Sequence, residues 1–323
     1  MYKILSYSLA RGPCTFDGDY LTRSHSAMLI ESILSDRWAL DATFHNRMAG
    51  VILRRIDAGQ APFEVPQSRK APFVALVGRD DRGKDNWGGD KSAAVPGYNN
   101  LSKANTKSGQ VVVLPIIGVM SRYGGYCSWG AEDMANWILE ANRDDNVSAI
   151  VLEINSPGGQ VDGTELLGET VRQSQKPVVA YVAGYAASAA YWVASQCREI
   201  VMESATTSDV GSIGVLAVHV DASAAYEKEG YKVTILRSDG SEDKALFNGI
   251  EPLSDVVVNE TKASLNLIRS TFVKIVKAGR PGISATVFSG KMYPGKEALA
   301  LGMADRIGYL GDAIRRADLL ARK

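Results

Sequence analysis

Ser188 lies in Gly184-Tyr185-Ala186-Ala187-Ser188-Ala189-Ala190-Tyr191-Trp192, between an apolar strand-like run at residues 177–182 and an Ala-rich run that favours helix. A serine at a strand-to-helix junction, flanked by small residues, leaves its hydroxyl and the next backbone N–H uncovered. Those are the needs of a nucleophile and of an oxyanion donor. The plainer reading of such a serine is a helix cap. Thirty positions upstream, Gly158 belongs to Asn155-Ser156-Pro157-Gly158-Gly159, directly after a run at 147–154 that reads as a buried strand. Two glycines after a proline make a tight turn whose N–H groups can approach a ligand closely. A helix expected over 163–175 would aim its N-terminus at the same place.

A serine nucleophile needs a base. The chain has three histidines, His25, His45 and His219, and only His219 falls among these motifs. A histidine at a strand end is more often structural than catalytic. The three cysteines, Cys14, Cys127 and Cys197, have no metal-ligand spacing. Neither a phosphate-binding Walker loop nor a dinucleotide glycine fingerprint occurs.

The elements that would hold these residues follow an α/β pattern from about residue 110. Strands are expected at 111–120, 147–154, 178–182, 200–202, 213–220 and 233–237. A helix is expected at 132–142 and a long amphipathic one at 256–278, closed by Gly279-Arg280-Pro281-Gly282. Residues 177–197 carry no charge, but Pro177 and Gly184 interrupt them, and strand–turn–helix explains them better than a membrane span. Three parts result. Residues 1–58 read as a helical arm, with Ala27, Leu29, Ile30, Ile33, Leu34, Trp38 and Leu40 near helical spacing. Residues 59–108, with Pro62, Pro66, Pro72 and Pro96, read as a linker holding one short strand at 73–77. Residues 109–323 form the main domain.

In motif order and spacing the chain resembles the signal peptide peptidase A (SppA) family, serine–lysine peptidases of the ClpP/crotonase superfamily, and in particular phage head-maturation proteases. The resemblance rests on Asn155–Gly159, on Ala187-Ser188-Ala189-Ala190-Tyr191-Trp192 and on Gly211-Ser212-Ile213-Gly214-Val215. It extends to Ser289-Gly290-Lys291-Met292-Tyr293 and to the stretch from Glu297 to Gly308. It implies a ClpP/crotonase-like spiral of β-β-α units and a Ser-Lys dyad with Ser188 as nucleophile. Lys244, 56 positions later in the loop 238–244, matches the family's lysine base, and Lys232 is its rival. Gly158 or Gly159, together with Ala189, would hold the oxyanion, and Ser212 would hold the amine. The ClpP pattern places a histidine near residues 212–214, several positions before His219.

A lysine base must be uncharged. Only about one free lysine in several thousand is so at neutral pH, and burial with hydrogen bonding to the neutral amine must make up the difference. Glu242 and Asp243 directly precede Lys244 and must point away from it, or the site must be dry enough to outweigh them. No metal or cofactor enters this reaction.

Bulk properties agree with a cytoplasmic enzyme of the host cell or procapsid. Lys+Arg and Asp+Glu are 36 each, a zero balance that argues against nucleic acid or anionic membranes as partners. Three cysteines fit a reducing compartment, and residues 1–10 lack the apolar core of a signal peptide. The expected partners are peptide or protein substrates, such as capsid, portal or scaffold proteins, and further copies of the chain. In such a homo-oligomer Ser188 and Lys244 could meet between subunits. Three other readings stay open: a bacterial soluble SppA-type peptidase, a crotonase-fold acyl-CoA enzyme, and a non-enzymatic protein that binds capsid scaffold.

Overall fold

The computed structural model describes residues 38–40, 70–76, 78–79, 85–86, 110–124 and 128–323. In chain order these form β1 (Trp38–Leu40), β2 (Phe73–Leu76), a short pair β3 (Gly78–Arg79) and β4 (Asp85–Asn86), and β5 (Gln110–Ile117). Then come α1 (Ala131–Arg143), β6 (Val147–Ser156), β7 (Gly158–Gln160), α2 (Thr164–Arg172), β8 (Val178–Ala187), α3 (Ala189–Ala194), β9 (Glu199–Met202) and β10 (Asp209–Gly211). The chain continues with α4 (Ser223–Lys228), α5 (Asp255–Gly279), β11 (Met292–Pro294), α6 (Gly295–Ala300), β12 (Arg306–Ile307) and α7 (Leu310–Ala321).

The apolar runs are strands because both of their faces are covered. β5, β6 and β8 lie side by side and parallel at the centre of an eight-stranded sheet, and buried parallel strands read as continuous apolar sequence. Alternate residues serve opposite faces. Val112, Leu114, Ile116, Ile150, Leu152, Ile154, Val178, Ala180 and Val182 belong to a core shared with α1, α2, α3 and the C-terminal part of α5. Val111, Val113, Ala149, Val151, Val179 and Tyr181 pack instead with Ala313, Ile314 and Ala317 of α7. The mixed α/β class inferred from the sequence is the one observed.

β8 sets the position of the serine. Along one edge it pairs with β6, and along the other it pairs with two strands in turn. β9 takes residues 179–182 and β10 takes 185–187. The strand therefore stays in the sheet up to Ala187, and helix α3 starts two residues later. All six residues of α3 are buried. Trp192 stacks on Phe272 of α5 with ring centroids 4.7 Å apart, and the Tyr191 hydroxyl donates to the Met303 carbonyl at 3.0 Å. The junction is fixed from both sides.

Three expectations need correction. Residues 213–220 and 233–237 are not strands; the strand in that region is β10, and beyond it only a single bridge forms at Leu216. An extended run becomes a strand only where its N–H and C=O groups find a neighbour. Among the described residues, 232–237 make no backbone–backbone hydrogen bond, the Tyr231 N–H goes back to the Tyr226 carbonyl at 2.9 Å, and Tyr231 is 62 % and Leu236 89 % exposed. The helical stripe expected to pass through Trp38 and Leu40 also fails there. Those residues are β1, paired antiparallel with β7. The rest of the 1–58 arm and most of the 59–108 linker lie outside the described residues, although β2 occupies the place of the strand expected at 73–77.

Candidate active site

Ser188 has φ 52° and ψ −116°, a backbone conformation that costs a non-glycine residue free energy of order 1–3 kcal/mol. Its N–H donates to the Gly211 carbonyl at 2.8 Å, and its carbonyl accepts the Trp192 N–H at 2.9 Å. Its hydroxyl donates to the Gly214 carbonyl at 3.3 Å. The side chain is thereby aimed at the segment after β10. Across from it, Ser212 also has a left-handed φ of 54°. Its N–H donates to the Lys291 carbonyl at 3.0 Å, and its hydroxyl makes no hydrogen bond among the described residues, which leaves it available to an incoming group.

The Gly-Gly turn stands beside this junction, because α3 packs against β7. Gly158 has φ 94°, and a Cβ on Gly159 would lie 1.8 Å from the Met120 carbonyl oxygen. The Gly158 carbonyl accepts the Met120 N–H at 2.8 Å, and the Gln160 N–H donates to the Met120 carbonyl at 3.0 Å. The Gly158 N–H donates to the Ser156 hydroxyl at 3.2 Å. Ala189, as the first residue of α3, has an N–H with no acceptor inside the helix.

No hydrogen bond joins Lys244 to Ser188 among the described residues. Lys244 is exposed on the loop after residue 237, and its amine makes no hydrogen bond among the described residues. The loop itself is tightly built. The Lys244 N–H donates to the Ser241 carbonyl at 3.1 Å. Arg237 donates from Nε to the Lys244 carbonyl at 2.6 Å and from Nη2 to the Ala245 carbonyl at 3.2 Å. The same guanidinium grips both oxygens of Glu251 at 2.9 and 2.6 Å, which holds that carboxyl down to about 2. Glu242 is turned onto the Gly240 N–H at 2.9 Å. Backbone N–H groups of its own loop keep it below the usual carboxylate range.

His219 is engaged elsewhere. One ring nitrogen lies 2.6 Å from the Asn248 carbonyl, and the ring meets Phe247 edge-on at 5.3 Å. His25, His45, Cys14 and Cys127 lie outside the described residues. Cys197 is buried, and burial pushes its thiol well above the usual range, so it is a packing residue. Arg237, Asn248 and Glu251, which hold the loop around Lys244, are residues that sequence reasoning missed. No periodicity or motif marks them.

A parallel sheet with a strained serine at its carboxyl edge, next to a Gly-Gly turn, defines a domain of the Clp protease class. Residues 128–206 match the Clp protease family, and residues 170–322 match peptidase family S49. The C-terminal part of the chain is thus similar to peptidase family S49. Capsid assembly protease C of Escherichia phage lambda is 32 % identical over 66 % of this chain and 50 % of its own. Head-tail preconnector protein GP5 of Enterobacteria phage P21 is 30 % identical over 63 % of this chain and 42 % of its own. Protease 4 of Salmonella typhi is 30 % identical over 60 % of this chain and 31 % of its own. The chain thus spans half or less of the length of these three relatives. No described helix is long and apolar enough to cross a membrane.

Proposed function

We propose that the chain is a serine endopeptidase that works by a Ser188–Lys244 dyad and matures phage or prophage capsids. The observation that carries the reading is where the backbone is strained. Among the described residues, the non-glycine positions with left-handed φ are Ser188, Ser212 and Ala245. These are the nucleophile, its proposed supporting hydroxyl and the residue that follows the proposed base. Strain of this kind persists where surrounding structure enforces it, and it clusters at active sites.

In the proposed reaction the neutral Lys244 amine takes the Ser188 proton as the oxygen attacks a peptide carbonyl. The C–N bond breaks, and the lysine returns the proton to the leaving amine. Water, deprotonated by the same amine, then releases the acyl group from Ser188. Gly158 or Gly159, with Ala189, supplies N–H donors to the oxyanion, and Ser212 directs the amine. The exposure of Lys244 in the single chain supports a dyad completed between neighbouring subunits of a homo-oligomer. Two relatives that bear capsid-assembly and head–tail names support a capsid, portal or scaffold protein as substrate.

Co-expression with candidate capsid proteins tests this. Ser188→Ala and Lys244→Ala are each expected to lower the yield of cleaved product by about a thousandfold or more. Equal processing by wild type and both variants would remove the hydrolase assignment.

A further inference from the structure

A side chain on an exposed turn is a poor catalytic base unless something fixes the turn, because misplacement by about 1 Å can lower a rate a hundredfold. The Lys244 turn has such a device. Arg237 holds the carbonyls of both Lys244 and Ala245, and Ala245 has a φ of 56°. The Asn248 amide donates to the Ala245 carbonyl at 2.7 Å and to Glu251 at 3.0 Å. The Asn248 side-chain oxygen accepts the N–H groups of Ile250 and Glu251 at 2.8 and 2.9 Å. An isolated surface ion pair contributes little. Here, however, one planar guanidinium serves a carboxylate and two main-chain carbonyls at once, and lysine cannot reproduce that fork. We propose that Arg237, braced by Glu251 and Asn248, is a positioning residue that fixes the turn presenting Lys244. The proposal rests on the Ser188–Lys244 reading.

Arg237→Met is expected to lower kcat about a hundredfold while KM stays within about threefold. Arg237→Lys should recover less than about a tenth of the loss. Hydrogen exchange of residues 238–246 should quicken in Arg237→Met, and adding Arg237→Met to Lys244→Ala should cost nothing further. Wild-type kcat in Arg237→Met beside an inactive Lys244→Ala would overturn the positioning role alone, as would an additive double variant. Full activity of Lys244→Ala would remove the dyad, and the positioning role with it.

A separate observation concerns β1. The Gly158 carbonyl and the Gln160 N–H both face Met120, so the N–H and C=O of Gly159 face the opposite side. Ala39 is the register partner of Gly159 on that side, with Trp38 opposite Gln160 and Leu40 opposite Gly158. β1 therefore lies along the strand edge that carries a proposed oxyanion donor, and Ser188 has no exposed surface in this arrangement. We infer that residues 38–40 occupy, within the same chain, the edge of β7 that an extended peptide would use, and that they compete with it. This too rests on the proposed site.

In an antiparallel pair set this way the Ala39 N–H faces β7, and the Leu40 N–H faces away. In the full chain, Ala39→Pro is expected to quicken hydrogen exchange of residues 158–160 about tenfold or more, and Leu40→Pro to leave it unchanged. The probe is a capped peptide of residues 36–42. It should bind Ser188→Ala/Ala39→Pro about tenfold more tightly than Ser188→Ala alone. Unchanged exchange, or equal peptide binding, would overturn the inference. Neither measurement needs catalysis, so the result stands apart from the dyad's own test.

Discussion

Mixed one to one, Ser188→Ala and Lys244→Ala subunits are expected to regain about a quarter of wild-type peptidase activity, although each alone is inactive. Half of the sites in a randomly assorted oligomer keep the serine, and half of those face a subunit that keeps the lysine. The expectation comes from the disposition of the two residues. Ser188 is fully buried and its hydroxyl donates to the Gly214 carbonyl, whereas Lys244 is exposed on its turn. The arm that bears the turn is also short of partners in a single chain. Leu236, Tyr231 and Val233 are 89, 62 and 44 % exposed, and residues 231–237 read as a strand without a neighbour. Apolar surface of that kind marks an interface. The measurement is peptide cleavage by the mixture after subunit exchange, with oligomer size followed by light scattering. Full-sized mixed oligomers without recovered activity would exclude a dyad shared between subunits.

The sequence carries those parts of the fold whose cause is local or periodic. The runs at 111–117, 149–152 and 178–183 are continuously apolar because both faces of a parallel strand are buried. The amphipathic stretch at 255–279 has a real boundary signal, since the Ser254 hydroxyl accepts the Val257 N–H and Gly279 precedes Pro281. The strand-to-helix junction at Ser188 is legible because an apolar run ending in small residues passes directly into an Ala-rich run.

What stays hidden depends on contacts between distant segments. The 213–220 and 233–237 runs have strand composition, but composition cannot report whether a partner is present. Trp38 and Leu40 fit a helical stripe by spacing, and antiparallel pairing with Gln160 and Gly158, more than a hundred positions away, decides against it at those residues. Arg237 and Glu251 are two charges fourteen positions apart, and only the folded turn shows that Arg237, held by Glu251, donates to the carbonyls of Lys244 and Ala245.

Gly159→Ala is expected to lower kcat by about a hundredfold to a thousandfold, the cost of losing an oxyanion donor, and to reduce thermal stability by several degrees. An alanine Cβ at this position would lie 1.8 Å from the Met120 carbonyl oxygen and 2.5 Å from its carbon. Both atoms are main chain, so no side-chain rotation relieves the clash. Either β7 leaves Met120, breaking the pair of hydrogen bonds at 2.8 and 3.0 Å, or residue 120 shifts and takes the end of β5 with it. Each outcome displaces the Gly158–Gly159 N–H groups, the proposed oxyanion donors. Gly282→Ala is the matched control, because a Cβ there meets nothing within 4 Å, and it should change stability by less than about 0.5 kcal/mol. Steady-state kinetics and thermal unfolding of the two variants decide the matter. If Gly159→Ala kept wild-type kcat while Gly282→Ala behaved as expected, the Gly-Gly turn would have no part in holding the oxyanion.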